Sequence, residues 1–148
     1  TEDSLPDQPT YDIATLKAML SDQQQRYAAR PRVRTLTAAS TKAASEAAYV
    51  VEWLDKVERI GNLNYPSVAR QQKLTGSVRL LVVITPSGAA KRVEVLESSG
   101  HSILDDAAKR VARLASPYAP FTEDMRSEFD ELEIIRTWRF ISTLTLDF

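Results

Sequence analysis

The sequence predicts an α+β domain: a three-stranded antiparallel sheet with two helices on one face, ordered αββαβ, preceded by two extra helices. Three observations carry this. Residues 77–85, SVRLLVVIT, place Val78, Leu80, Val82 and Ile84 on one side of a strand of period two. Pro86-Ser87-Gly88 makes a turn, from which Lys91–Ser98 returns as a second strand. Leu132–Ile141 alternates in the same way after an intervening amphipathic stretch and supplies the third strand.

The elements follow in order. Residues 1–11 read as the end of a flexible linker, so the chain is expected to be a fragment of a longer protein. From Asp12 to Tyr27, Ile13, Leu16, Leu20 and Tyr27 share a helical face until Arg30-Pro31 ends it. A second helix is expected from Ser40 to Ile60, with Val50, Trp53, Leu54, Val57 and Ile60 as its stripe and Gly61 as its stop. These two helices make residues 12–61 an N-terminal extension to a domain at 62–148. Pro66 opens a short helix to Lys73. Ser102, with Asp105 three positions on, suits a capping box, and Ile103, Leu104, Ala107, Ala108, Val111 and Leu114 form the face of the helix it starts. Thr122–Glu131 reads as an acidic loop. The third strand is placed beside the first, at the sheet edge, with all strands antiparallel. The first strand's other side, Arg79, Leu81 and Val83, is too apolar to stand in water. Its cover is either the helix bearing Trp53 or a second copy of the chain, which would make a homodimer.

The 148 residues have a formal net charge of −1, and acids and bases are interspersed. This lacks the basic footprint of a nucleic-acid binder. There is no cysteine and a single histidine, His101, so no thiolate nucleophile and no histidine pair for a metal are available, and no cofactor is expected. Ser98 and Ser99 lie in no Gly-x-Ser-x-Gly elbow. No catalytic constellation emerges, and a small hydrolase is disfavoured. His101 fits a turn or capping role, and Trp53 and Trp138 fit the core.

Tyr65-Pro66, Ala69-Arg70 and Gly76-Ser77-Val78, then Pro86-Ser87-Gly88, then Ser98-Ser99-Gly100-His101 with Leu104-Asp105 and Ala107-Ala108, form an ordered set. It resembles the C-terminal periplasmic domain of TonB-family energy transducers over residues 62–142. The chain departs from that pattern at Tyr118-Ala119-Pro120-Phe121, where a typical member has a tryptophan, and in the helical region upstream.

The resemblance implies a non-enzymatic periplasmic domain, anchored to the inner membrane by an N-terminal segment outside this chain and coupled there to an ExbB/ExbD-type motor. Its partner would be an outer-membrane TonB-dependent receptor, whose TonB box is bound along an edge strand. Strand addition suits such a grip, because main-chain groups supply the attachment and side chains supply modest specificity. The candidate partner-binding residues are Leu132, Glu133, Ile134, Ile135, Arg136, Thr137, Trp138, Arg139 and Phe140. Of these, Glu133, Arg136 and Arg139 are expected to discourage self-pairing of an open edge. Arg70 and Lys73 are the basic candidates for contact with the transporter plug. The alternative is a TolA-like or secretion- or pilus-associated envelope scaffold that binds other envelope proteins.

Overall fold

The computed structural model describes residues 10–147. Most of the expected linker, residues 1–9, lies outside the described residues. Two compact units divide between Pro31 and Arg32.

The first unit holds α1, Ile13–Ala28, which begins where the Asp12 carboxylate accepts the Thr15 N–H at 2.7 Å, as an N-cap should. None of its residues is buried; Ile13, Leu16, Met19, Leu20 and Tyr27 are all exposed.

In the second unit the described strands are β1 (Val33–Leu36), β2 (Gly76–Ile84), β3 (Ala90–Glu97), β4 (Glu131–Phe140) and β5 (Leu144–Leu146). The helices are α2 (Ala44–Leu63), α3 (Ser67–Gln71), α4 (Ser102–Leu114) and α5 (Glu123–Glu128). The sheet runs β1-β4-β2-β3, with β5 also on β4. The α+β class and the β2–β3 hairpin beside β4 agree with expectation. The sheet itself is larger than expected and mixed, because β1 pairs with β4 in parallel. β4 is therefore an inner strand, not an edge. The strands at 33–36 and 144–146 were not anticipated. Each is too short to show a period, and each is defined by its pairing with β4.

β2 is the centre of the hairpin. Gly88, at φ 93° in the turn, donates to Thr85 O at 2.9 Å, and its own carbonyl accepts the Tyr118 N–H at 2.7 Å. A Cβ there would run into the Tyr118 carbonyl, so the position demands glycine twice over. On the helix side of the sheet, Val78, Leu80, Val82 and Ile84 join Leu132, Ile134, Trp138 and Phe140 in one core with α2 and α4. α2 contributes Tyr49, Val50, Trp53, Leu54 and Val57, so it shares the core of the segment it was expected merely to precede. Trp53 meets Trp138 edge-on at 6.3 Å and Tyr118 at 6.0 Å.

The helix bearing Trp53 thus covers the Leu80–Val82 side, not the Leu81–Val83 side. Leu81 and Val83 are buried without belonging to that core. Their cross-strand neighbours are Glu94, Arg92, Ile135 and Glu133. The aliphatic stems of these long charged side chains can roof apolar neighbours while their heads stay in water.

Three further expectations are corrected. Gly61 does not stop α2; it lies inside the last turn, where a Cβ would overlap Leu144 Cδ2. Ser102 does not form a capping box with Asp105. His101 takes the N-cap position without a side-chain bond, and Asp105 turns back to the 98–99 segment. The acidic loop contains α5, capped by Thr122 Oγ1 accepting from Met125 N and pinned to the core by Met125 and Phe129.

Candidate partner-binding surface

β4 carries nine of the candidate residues, and the pleat sorts them into two sets. Leu132, Ile134, Arg136, Trp138 and Phe140 point to the helix side and are at most 1% exposed. Glu133, Ile135, Thr137 and Arg139 lie on the opposite face, half-buried except for the exposed Arg139. The expectation that Arg136 is a surface charge guarding an edge is therefore wrong. It shares the parity of Trp138, and the alternation buries it.

The buried row ties β4 to the helices. Trp138 meets Trp53 edge-on, and Phe140 lies 5.8 Å from the Tyr65 ring. On the other face Glu133 accepts from Thr35 Oγ1 at 2.9 Å and faces Arg92 at 4.0 Å. Arg79 reaches Thr137 Oγ1 at 3.4 Å.

Inward, β4 pairs with β2 from Leu132 to Phe140. Outward, its main chain is answered piece by piece. β1 covers Glu131–Ile134. The Arg136 guanidinium donates to Ile135 O at 3.0 Å and, less closely, to Leu36 O at 3.4 Å. Thr137 N–H donates to the Asp147 carboxylate at 2.8 Å, and Thr137 O accepts the Asp147 N–H at 3.1 Å. β5 covers Trp138–Phe140. Beyond it, α2 caps β5 in turn: Leu144 N–H donates to Asn62 Oδ1 at 2.8 Å and Leu146 N–H to Glu58 Oε1 at 2.9 Å. Among the described residues the free sheet edges are the outer sides of β3 and β1.

Arg136 is an unusual cation. It is 1% exposed, and among the described residues its Nε has no hydrogen-bond partner and no carboxylate lies within ion-pair distance. Burial pushes its pKa down, against the pull of Asp147. The electrostatics at β1 are more conventional. Arg34 Nε donates to Glu46 at 2.7 Å, a bond that holds the carboxylate below its usual range and the guanidinium above its own. The same carboxylate accepts the Ala43 N–H at 2.8 Å. The exposed Arg32–Asp130 pair lies at the start of the β1–β4 ladder.

Arg70 sits at the far end of β4, where its Nε donates to Ser142 O at 3.2 Å and its guanidinium lies 4.7 Å from the Tyr65 ring centroid. Lys73 is exposed, with a positive φ of 54°, in the turn that leaves α3. Both lie at the Phe140 end of the sheet, where Gly76 pairs with Phe140. Leu132 is about 26 Å away along the strand, at some 3.3 Å per residue. The basic pair and the start of β4 are thus not one cluster. Sequence reasoning did not find Asp147, Asn62, Glu58, Arg34 and Glu46, the residues that close the β4 edge. Their roles arise from contacts across 10 to 88 positions of sequence.

Among the described residues no group of acidic, histidine or cysteine side chains is arranged to hold a metal. Among the same residues no helix is long and apolar enough to cross a membrane.

Residues 61–141, more than half of the chain, match the family described as Gram-negative bacterial TonB protein C-terminal. Among solved structures, the solution structure of the TonB C-terminal domain of Helicobacter pylori is 26% identical, with 68% of this chain and 97% of that one covered and a TM-score of 0.44. No curated protein matches the chain significantly. The family match spans α3, the hairpin, α4, α5 and β4, in agreement with the resemblance noted over residues 62–142. This chain belongs to the family of TonB C-terminal domains.

Proposed function

We propose that this chain is the periplasmic, partner-binding domain of an energy transducer. It grips the TonB box of an outer-membrane TonB-dependent receptor along β4 and transmits force from an ExbB/ExbD-type motor reached through an N-terminal inner-membrane anchor. The family match carries this reading, and the seating of β4 supports it. A strand whose alternate side chains are locked into the core by Trp53 and Tyr65 can take load from a bound peptide and pass it to the whole unit. Main-chain pairing gives such a peptide directional attachment with little demand on its sequence. Arg70 and Lys73 stand at the Phe140 end as the basic flank.

The test is titration of isotopically labelled protein with a synthetic TonB-box peptide from a transporter of the same bacterium. Shift changes centred on Leu132–Phe140 are expected, together with weaker binding in an Arg70→Ala/Lys73→Ala variant. Shifts confined to the outer side of β3, the longest open edge, would move the site there. Absence of binding would favour an envelope-scaffold role with a different partner.

A further inference from the structure

The edge that the proposed grip needs is occupied, and its principal occupant is β1. We propose that β1 is a built-in cover, a strand of the same chain that holds the Glu131–Ile134 edge of β4 in the resting protein and leaves when an extended partner pairs there. This rests on the reading of β4 as the gripping strand and adds a step that gates it.

The construction of β1 supports release. It is four residues long, and Leu36 is its only buried side chain. The remaining contacts are single polar ones: Arg34 to the buried Glu46 carboxylate and to Thr41 O at 2.7 Å, Thr35 to Glu133 at 2.9 Å, and the exposed Arg32–Asp130 pair. Of these, the Arg32–Asp130 pair is exposed on both sides and holds weakly. Most of the attachment is the main-chain ladder itself, and any other extended segment can offer the same ladder. Exchange of one strand for another therefore swaps like for like. β2, by contrast, pairs with β4 along nine positions and buries Val78, Leu80, Val82 and Ile84 in the core, so it cannot leave without unfolding the unit.

Position in the chain points the same way. β1 lies outside the matched segment 61–141 and is the first element of its compact unit. Residues 37–43 separate it from α2, so β1 can swing away on that short connection once the main-chain bonds of Arg32 to Asp130 and Glu131 also break. Arg136 marks the place where the cover ends. Its buried guanidinium has an unpartnered Nε and a long bond to Leu36 O, the carbonyl that would depart with β1. An incoming main chain crossing Ile135–Thr137 would bring carbonyls to this cation. Because the binding-competent state is the uncovered one, the observed affinity is the intrinsic affinity reduced by the fraction uncovered.

The test locks or loosens β1 in the full chain. The sequence has no cysteine, so a Val33→Cys/Glu131→Cys double variant places one thiol on each of two directly paired residues. TonB-box peptide should bind the oxidised form at least about tenfold more weakly than the same variant reduced. Arg34→Ala should bind about fivefold more tightly than the parent chain, with faster amide exchange at Thr35 and Leu36 before peptide is added. Equal affinity of oxidised and reduced forms, or of Arg34→Ala and parent, overturns the cover while leaving the grip intact. If thiol titration shows that the bridge does not close, the Arg34→Ala comparison decides alone. No binding in any form, the loosened one included, overturns the β4 reading itself and the cover with it.

Discussion

Replacing Asn62 with leucine should open the far end of the β4 edge without disturbing its buried row. Asn62 uses its carboxamide as a strand would use a peptide group: Oδ1 accepts the Leu144 N–H at 2.8 Å and Nδ2 donates to Leu144 O at 3.1 Å. Leucine keeps roughly the volume and removes both bonds. At about 1 kcal/mol net for each bond, the loss is about 2 kcal/mol. It rises if the partly buried Leu144 groups find no water in exchange. For a unit slightly above 100 residues this corresponds to a fall in Tm of about 6–10 °C. Urea unfolding gives the free energy, and amide exchange gives the location. Protection should drop first at Leu144 and Leu146, then at Arg139 across the β5 ladder, while β2 amides change only with the global stability. A loss below about 0.5 kcal/mol, or an unchanged exchange rate at Leu144, would show that α2 does not hold β5 through this side chain.

Three further outcomes follow from the packing. Gly61→Ala should destabilise by about 1–3 kcal/mol, because the new methyl meets Leu144 Cδ2 and the strain outweighs the better helix propensity of alanine; a gain in urea midpoint would refute the close approach. Asp105→Ala should cost about 1–3 kcal/mol at neutral pH. Burial tends to raise the Asp105 pKa, but bonds from the Ser98 and Ser99 hydroxyls and the Ser99 N–H outweigh it and hold the carboxylate below its usual range. Its contribution is therefore complete above the unfolded value near 4 and is lost as pH falls through the folded value, so parent and variant stabilities should converge in acid; a gap independent of pH would refute this. Trp138→Ala should cost about 3–5 kcal/mol and abolish the near-ultraviolet signal of the Trp53–Trp138 pair, and a fully native spectrum would contradict the edge-on contact.

The parts of the fold that were legible in the sequence are those specified locally. β2 is a nine-residue alternation bounded by glycine and proline, and the cap-and-stripe pattern of α4 gives its face even though the expected capping bond is made elsewhere. β1 and β5 were illegible because VRTL and LTL carry no more pattern than a loop does; only β4 makes them strands. Once the expected strands were three, the last of them had no choice but to be an edge. Arg136 is a different case. Its place in the alternation, two residues from Trp138 and two from Ile134, put it on the buried face, but the habit of arginine to stand in water masked that signal. Gly61 shows the same limit from the other side: a glycine at a helix end signals a stop, and only the approach of Leu144, 83 positions later, reveals a packing requirement. Arg70 and Lys73 were identifiable as bases, but their separation from the start of β4 was not, since it depends on the antiparallel register with Gly76.

The family match covers residues 61–141, but the molecule does not fold as that segment with ornaments attached. Leu36, Trp53 and Val57 from before it, and Leu144 and Leu146 from after it, belong to the same core as Val82 and Trp138. These flanks also close the outer side of β4. An open ten-residue strand presents a row of main-chain donors and acceptors that would pair with any neighbour, including another copy. The chain avoids this with short elements fastened from outside by single polar side chains, Glu46 through Arg34 at one end and Asn62 and Glu58 at the other. Such fastening differs in kind from the buried rings that fix β4 from beneath. Contacts of the first kind are single polar bonds that can be undone one at a time; those of the second kind are lost only with the fold. The proposed grip on β4 requires that division, with a permanent inner face and a removable outer edge. On the proposed reading the flanking residues control the removable part, and selectivity for one partner over another would be tuned at the Arg34–Glu46 pair and at Asn62 without changing β4 itself.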